Sequence, residues 1–187
     1  CMTFAVVTTF SPKGYEVYGR RMIETFTAFW PADTALHVFY EGEKPQDASP
    51  RATWHPLDED KDRAAFMAKH KDQPGDYRKC PVQFSHKVFA MSGAPRDADH
   101  IIWLDSDCET FAPVEKRFLT KWCAAEGQAG SYLGRPYSRH SETGFLSFRK
   151  NNCGYEFLDE FRRVYTSGDL FNLSELHDSM AFDYLRR

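Results

Sequence analysis

Short runs of apolar residues alternate along this chain with longer segments in which apolar residues recur every three or four positions. The runs Phe4 to Val7 and Leu36 to Tyr40 are typical of buried strands. Between them, Ser11-Pro12 is a favourable helix start and Pro31 is a stop. The intervening apolar residues keep helical spacing: Tyr15, Tyr18, Met22, Phe26 and Phe29. A strand, a helix and a second strand in this order predict parallel pairing through a right-handed crossover.

The same alternation continues to the end of the chain. Further helices are predicted over 62–71, 84–91, 118–123, 155–165 and 176–185, with strands over 101–104, 131–133 and 144–148. Residues 41–57 are rich in proline and charge, so a loop is predicted there. Because no repeat or linker divides the sequence, we predict a single α/β domain over residues 1–187.

The sequence Ile101-Ile102-Trp103-Leu104-Asp105-Ser106-Asp107 carries a predicted buried strand directly into two carboxylates. Alternation along an extended chain places Asp105 and Asp107 on the same side. Two carboxylates held close together repel each other, and a bound divalent cation removes that repulsion. Hard oxygen ligands suit Mg²⁺ or Mn²⁺. Since ligands of open α/β sheets bind outside the carboxyl ends of strands, this motif is a candidate metal site.

A solvated turn is the alternative interpretation of the motif, because aspartate and serine are common turn residues. The buried-strand residues before the pair favour the functional interpretation but leave the turn open. An EF-hand loop is excluded, since Thr110 stands where that loop needs glycine and Lys116 stands where it needs glutamate.

Composition narrows the class of protein. A net charge of -3 argues against nucleic-acid binding, which would need a basic excess or a basic stripe. Five widely spaced cysteines without a C-x-x-C pair indicate free thiols in a reducing compartment, so we expect a cytoplasmic protein. No stretch approaches the ~20 apolar residues of a membrane span. No glycine-rich phosphate loop occurs, so metal and basic side chains would have to hold the phosphates of a bound nucleotide.

Four segments in a fixed order resemble a glycosyltransferase of the GT-A fold with an Asp-x-Asp motif. They are the Thr8-Thr9 strand end before a long helix, Phe84-Ser85-His86-Lys87, the motif from Trp103 to Asp107, and Glu142-Thr143-Gly144-Phe145. The chain is more narrowly similar to small bacterial and phage proteins of that fold, over roughly Thr3 to Asp183. The resemblance implies a three-layer α/β/α, Rossmann-like fold with a mostly parallel central sheet.

This family implies metal-dependent transfer of a sugar from a nucleotide sugar, usually a UDP-sugar, to a sugar, lipid or protein acceptor that the sequence leaves open. A Mn²⁺ or Mg²⁺ ion would bridge Asp105 and Asp107 to the diphosphate. Lys87 would face the sugar-phosphate and stabilise the departing diphosphate, with a solvated helix lysine as the alternative. The residues that would bind the nucleotide sugar are Thr8, Thr9, Phe10, Tyr15, Lys87, Asp105 and Ser106.

The resemblance also points to residues near the end of the chain. Glu142 would line the donor sugar and acceptor as a positioning group, a base or a nucleophile, or else would only cap a neighbouring backbone group. His177 would be a third metal ligand, and Asp178 would bind the acceptor or act as a base. At a predicted helix start, Asp178 could equally be a carboxylate whose pKa is lowered by free backbone N–H groups. Because related enzymes often extend further, a ligand or lid after Arg187 is also expected.

Two other functions stay open at this stage. A non-catalytic nucleotide-sugar binder would keep the acidic pair without turnover. A phosphohydrolase of the haloacid-dehalogenase type would use Asp105 as a nucleophile. That family usually carries its acidic pair on the first strand with a second pair downstream, whereas here the motif lies mid-chain and no Asp-Asp pair follows it.

Overall fold

The computed structural model describes residues 2–151 and 153–187, which form a six-stranded sheet with helices on both faces. The strands are β1 (Phe4–Phe10), β2 (Ala35–Tyr40), β3 (Thr53–Pro56), β4 (His100–Leu104), β5 (Gly130–Leu133) and β6 (Glu142–Arg149). The α-helices are α1 (Pro12–Gly14), α2 (Arg20–Phe29), α3 (Lys61–Lys69), α4 (Pro81–Ser92), α5 (Lys116–Trp122), α6 (Gly154–Thr166) and α7 (Asp178–Leu185). In the described part of the chain, none of the helices is long and apolar enough to cross a membrane.

The strand order of the sheet is β3-β2-β1-β4-β6-β5. Strand β1 pairs in parallel with β2 and β4, and β2 pairs in parallel with β3. Strand β6 runs antiparallel to both β4 and β5. The carboxyl ends of the four parallel strands therefore meet the amino end of β6 at one edge, called here the carboxyl edge. Strands β2 and β3 follow on one side of β1, and the chain then crosses to β4 on its other side. Such switch points are where open α/β sheets bind ligands.

Apolar side chains pack into two core clusters, one on each face of the sheet. Alternation within β1 and β4 sends Val6 and Ile102 to one face and Val7 and Ile101 to the other. The first face is covered by α2 and α5, and the second by α3, α4, α6 and α7. Helices therefore lie on both sides of a mostly parallel sheet. This arrangement confirms the predicted three-layer α/β/α fold class.

The loop predicted over 41–57 is wrong at its C-terminal end, where Thr53–Pro56 forms strand β3. This strand lies at the edge of the sheet and pairs with β2. Its side chains are exposed or half-buried, so the sequence lacks the apolar run of a buried strand. Pro56 is tolerated because an edge strand has one side without ladder hydrogen bonds.

The helical segment after β1 begins as predicted but is not regular throughout. Ser11 Oγ accepts a hydrogen bond from the N–H of Gly14 at 3.1 Å, and Pro12 occupies the first helical position. Residues Tyr15–Gly19 then adopt π-helical geometry before α2 begins. The wider turn changes which residues share a face. Tyr15 is buried against Phe10, whereas Tyr18 stays partly exposed at the carboxyl edge.

A buried arginine joins α3 and α4 to the carboxyl edge. The side chain of Arg63 is only 4% exposed, and its guanidinium contacts Glu41 at 2.9 Å and Asp58 at 2.8 Å. Its Nε donates a hydrogen bond to Nδ1 of His86 at 3.1 Å. Burial, together with the charge of Arg63, lowers the pKa of His86 from 6.5 to about 4. The fold therefore holds this imidazole in its neutral form near neutral pH.

The buried neutral His86 predicts a loss of stability in acid. In the unfolded chain His86 becomes protonated below its ordinary pKa of 6.5. In the folded chain it stays neutral until about pH 4. The free energy of unfolding should therefore fall across that window by on the order of 3 kcal/mol from this residue alone. His86→Gln should remove this contribution, so its urea-derived stability should decline less steeply with falling pH than that of the wild type. Parallel stability curves for the two proteins would contradict the assignment.

Candidate functional site

The two carboxylates of the Asp-x-Asp motif lie where β4 ends, beside the first residues of β6. The N–H of Asp105 donates to the carbonyl oxygen of Gly144 at 2.9 Å. The N–H of Cys108 donates back to the carbonyl of Asp105 at 3.0 Å, which closes a turn. The chain is therefore no longer extended at Ser106. Asp105 and Asp107 nevertheless line the same cavity.

Lys87 of α4 lies between carboxylates from two other elements. Its Nζ is 3.0 Å from Oδ1 of Asp105 and 3.0 Å from Oδ2 of Asp178, and it donates to Oγ1 of Thr143 at 3.2 Å. Its side chain is only 12% exposed, which excludes the alternative of a solvated helix lysine. Burial alone would lower the pKa of Lys87, but the two carboxylate charges outweigh it and raise that pKa. The ammonium therefore stays charged at neutral pH.

Asp178 is the buried partner of this lysine. Burial alone would raise the pKa of Asp178, but the charge of Lys87 and the hydrogen bond from Thr143 Oγ1 at 2.6 Å outweigh it, so the pKa lies below its ordinary value. The sequence predicted this direction from helix N-terminal N–H groups. The largest cause that lowers this pKa is instead the tertiary contact with Lys87. A carboxylate held this way is a weak base, which favours a positioning role for Asp178.

Two clefts open at the carboxyl edge, on either side of Asp105. The first, which we call the polar cleft, has a volume of about 640 Å³. Its walls come from the end of β1, from α4, from the start of β6 and from α7. The lining residues include Thr9, Phe10, Tyr18, Glu41, Asp72, Phe84, His86, Lys87, Trp103, Asp105, Thr143, Asp178 and Ser179.

The second cavity, which we call the apolar groove, has a volume of about 760 Å³. Most of its walls are aliphatic or aromatic, from α5, from the end of β4 and from β5 and β6. They include Trp30, Leu104, Val114, Phe118, Leu119, Trp122, Leu133 and Phe145. Its polar residues lie around the motif: Asp105, Asp107, Arg135 and Glu142. Asp105 belongs to both cavities, so a molecule in each would meet at this carboxylate.

Some of the predicted nucleotide-binding residues line the polar cleft, and others are buried in the fold. Thr9 and Phe10 line the polar cleft, although the Thr9 hydroxyl donates to the carbonyl of Phe39 at 2.6 Å. Thr8 is fully buried within the sheet. Tyr15 is buried too, and its hydroxyl donates to Asp47 at 3.0 Å. Ser106 lies half-buried in the turn after β4. Nucleotide contacts from Thr8 and Tyr15 would require the core to open.

Glu142 begins β6 and lines the apolar groove near the motif. Its Oε1 accepts a hydrogen bond from the N–H of Gly144 at 2.8 Å, and its carboxylate forms an ion pair with Arg135. Glu142 therefore caps a neighbouring backbone N–H group, which is the alternative role predicted from the sequence. The carboxylate also faces the cavity that contains Asp105 and Asp107, so a role toward a bound acceptor stays a prediction.

His177 lies in a different set of contacts from the Asp-x-Asp motif. Its Nε2 is 2.8 Å from Oε2 of Glu175, and its Nδ1 accepts the N–H of Met180 at 3.2 Å as the cap of α7. The ligand atoms of His140, Glu175 and His177 lie within 4.8 Å of one another, which is a spacing that metals can use. However, a neutral imidazole that accepts at Nδ1 carries its proton on Nε2. Metal binding by His177, still a prediction, would require the loss of one of these bonds.

Several residues of the site were given no role from the sequence, although Thr143 and His86 lie within segments that carry the resemblance. Thr143 is one of these, because its hydroxyl joins Lys87, Asp178 and Ser179, which are far apart in the chain. Glu41 and His86 also line the polar cleft, and both accept hydrogen bonds from the buried Arg63. Their partners depend on tertiary packing, so only the position of each residue at a strand end or on α4 could have suggested them.

Comparison with known proteins identifies the fold. No protein-family model matches this chain, and no curated protein matches its sequence. Solved structures do match. Mouse xyloside xylosyltransferase 1, in its apo form, aligns with a TM-score of 0.56 at 12% identity over 97% of this chain and 80% of that chain. The chain has the fold of a glycosyltransferase.

Two further structures support this assignment. The apo form of the glycosyltransferase GlyE of Streptococcus pneumoniae TIGR4 aligns with a TM-score of 0.61 at 12% identity over all of this chain and 43% of that chain. The bifunctional glycosyltransferase WbbM, also in its apo structure, gives 0.56 at 12% identity over 91% of this chain and 37% of that chain. This chain thus spans less than half the length of GlyE and WbbM. At this identity the likeness is one of fold.

The contact between Lys87 and Asp178 predicts strong coupling in stability. Lys87→Met should lower the free energy of unfolding by about 3 kcal/mol, because it leaves the buried Asp178 carboxylate without its ammonium. Asp178→Asn should also destabilise, but the double variant should be more stable than the sum of the single effects predicts, by about 1–3 kcal/mol. Urea unfolding of the four proteins measures this coupling. Strictly additive losses would show that the pair does not interact.

Proposed function

We propose that this protein is a metal-dependent glycosyltransferase, which moves a sugar from a nucleotide-sugar donor, of the UDP-sugar type, to the hydroxyl group of an acceptor. The observation that carries this proposal is the meeting of the polar cleft and the apolar groove at the Asp105 carboxylate, beside Lys87. Such a meeting point suits a reaction that joins two substrates. The fold shared with three glycosyltransferases supports the same class of reaction.

The residues around the motif fit a divalent cation. The side chain of Asp105 is 37% exposed, and Asp107 is exposed. A Cβ at Gly144 would lie 3.2 Å from Oδ2 of Asp105, so glycine keeps space beside this oxygen. Burial and the charges of Asp105 and Asp107 raise the pKa of the Cys108 thiol to about 11, so it offers no thiolate at neutral pH. The donors are therefore carboxylate oxygens, which suit Mg²⁺ or Mn²⁺.

The charge of the polar cleft also favours a cation. Asp72, Asp105 and Asp178 line it, together with Glu41, whose charge is offset by Arg63. Lys87 supplies the one ammonium among the described residues of its walls. An anionic diphosphate would be repelled by this excess of carboxylates. A cation held by Asp105 and Asp107 would neutralise part of this charge and stabilise the charge that develops on the diphosphate. In this proposal the nucleotide lies in the polar cleft, with Thr9, Phe10 and Tyr18 beside it.

The proposed transfer assigns separate roles to the residues at the meeting point. The bond from the anomeric carbon to the diphosphate breaks, and the nucleoside diphosphate leaves with the electron pair. A bond forms from the anomeric carbon to the acceptor oxygen. Glu142 receives the proton of the acceptor hydroxyl after the acceptor displaces Arg135 from its ion pair with this carboxylate. Lys87 provides a fixed positive charge near the diphosphate. Asp178 and Thr143 position Lys87 through their direct contacts with its ammonium.

Metal-dependent donor binding provides the first test. In calorimetric titrations, UDP should bind much more tightly with Mn²⁺ than without it. Asp107→Asn should weaken UDP binding in the presence of Mn²⁺ by about tenfold or more, because even the loss of a residue that only holds a metal ligand in place costs about 10- to 100-fold in metal affinity. Asp97→Asn is the matched control, because this exposed aspartate precedes β4 at the opposite edge of the sheet. Equal UDP affinity in the Asp107 variant and the wild type would refute the metal assignment.

A second test separates chemistry from nucleotide binding. Glu142→Gln should keep UDP affinity close to that of the wild type but lower the rate of sugar transfer or donor hydrolysis by about 10² to 10⁴, the range for loss of a general base. A selective effect on turnover means that the residue acts mainly in the transition state. A matching loss of UDP affinity would instead place Glu142 at the metal or in the nucleotide site.

A third outcome distinguishes catalysis from binding alone. Metal-dependent UDP affinity in a wild-type protein that neither hydrolyses nor transfers any nucleotide sugar would contradict the transferase proposal. It would favour a protein that binds nucleotide sugars without turnover.

A further inference from the structure

The apolar groove exposes large apolar side chains beside the carboxylates of the site. Phe118 is 41% exposed, Trp122 is 55% exposed and Leu133 is 39% exposed, and all three line the groove. Trp30 and Phe145 extend the same surface inward toward the core. A contiguous exposed apolar surface of this kind marks a binding site more often than chance. Its volume of about 760 Å³ suits a small molecule.

The polarity of the groove is uneven along its length. Its carboxylates, from Asp105, Asp107 and Glu142, belong to the end next to the polar cleft, while its other walls are mainly carbon. An occupant that matches this pattern has a hydroxylated head at the carboxylates and an apolar body along the rest. A free monosaccharide fits poorly, because its hydroxyl groups would lose water against carbon walls without gaining partners.

A nucleotide fits the groove poorly as well. Among the described residues that line it, Arg135 is the basic one, and its guanidinium is already paired with Glu142. A nucleotide would also find few hydrogen-bond partners for its ribose and base along the carbon walls of the groove. The polar cleft is the better place for the donor, because neutral polar side chains such as Tyr18 and Gln83 line it and Lys87 lies beside the Asp-x-Asp motif. This leaves the apolar groove for the second substrate.

We propose that the acceptor of this protein is amphipathic, with a hydroxyl or sugar head joined to an alkyl or aryl group, and that the apolar group lies in the groove. This inference rests on the proposed glycosyltransferase function and names the chemical class of its acceptor. The head would reach the carboxylates of Glu142 and Asp105 while the alkyl or aryl group packs against Phe118, Trp122 and Leu133.

A pair of alkyl glucosides tests this inference without requiring turnover. n-Octyl β-D-glucoside, below its micellar concentration, should bind the protein at least about tenfold more tightly than methyl β-D-glucoside, because only the octyl chain gains apolar burial. Saturation-transfer NMR detects this binding through the signals of the glucoside. Tryptophan fluorescence also reports it, because Trp30 and Trp122 line the groove. The probe needs neither donor nor metal.

Matched variants locate the bound probe. Phe118→Asp should weaken octyl glucoside binding by about tenfold or more, because a charge then faces the alkyl chain. Phe111→Asp is the control, since Phe111 is 90% exposed and lies outside the residues that line the groove. Leu133→Ser gives a second, milder change should Phe118→Asp fail to fold. Unchanged binding in Phe118→Asp and Leu133→Ser would overturn the inference.

Three further outcomes would also overturn it, and the first two are distinguishable from failure of the proposed function. If UDP binds with Mn²⁺ while octyl glucoside does not bind, the transferase proposal stands and the amphipathic acceptor is wrong. If sedimentation shows a wild-type dimer that Phe118→Asp dissociates and Phe111→Asp does not, the groove is an interface between two copies of this chain. If octyl glucoside binds but UDP does not, the acceptor role falls together with the proposed function.

Discussion

The ammonium of Lys87 is the contact on which the geometry of the site depends. It joins α4 to the turn after β4 through Asp105, to α7 through Asp178, and to β6 through Thr143. Removing these charges from water is costly, and they are stable together only in a geometry that satisfies all of them. The network therefore contributes less to net stability than to fixing where these four elements meet. Movement of α7 away from the sheet would separate Asp178 from Lys87 and Thr143, and Lys87 would keep Asp105 as its one carboxylate partner among the described residues.

The geometry of the site also depends on the antiparallel direction of β6. In this register Leu104 of β4 lies opposite Phe145, which brings Gly144, Thr143 and Glu142 beside Asp105. A parallel β6 would have placed its first residues at the opposite edge of the sheet, far from the carboxyl end of β4. The same reversal explains why one short segment supplies a hydroxyl to the Lys87 network, a carboxylate to the apolar groove and a glycine beside the motif.

The apolar pattern was sufficient to predict most of the fold, because most strands and helices bury continuous runs or stripes of apolar residues. It failed for β3, whose half-buried residues are held in place by pairing with β2. The position of Asp105 at the end of a strand was also predictable from the sequence. The environment of Asp178 was not, because the lysine that sets its pKa lies on another helix. Likewise, the helical stripe did not distinguish the buried Tyr15 from Tyr18 in the cleft, since the π-helical turn shifts their faces.

The contrast between the two cavities follows from alternation along β4. Trp103 points to one face and lines the polar cleft, whereas its neighbour Leu104 lines the apolar groove on the other face. Asp105 comes next, at the point where the strand ends and neither face is covered, so its carboxylate belongs to both cavities. The groove continues the core cluster that packs α2 and α5 against the sheet, which explains its carbon walls. The polar cleft lies toward α4 and α7, whose side chains Lys87 and Asp178 form an ion pair at the carboxyl edge. One strand end thus places a charged binding surface and an apolar one within reach of the same carboxylate, as a reaction between an anionic donor and an amphipathic acceptor would require.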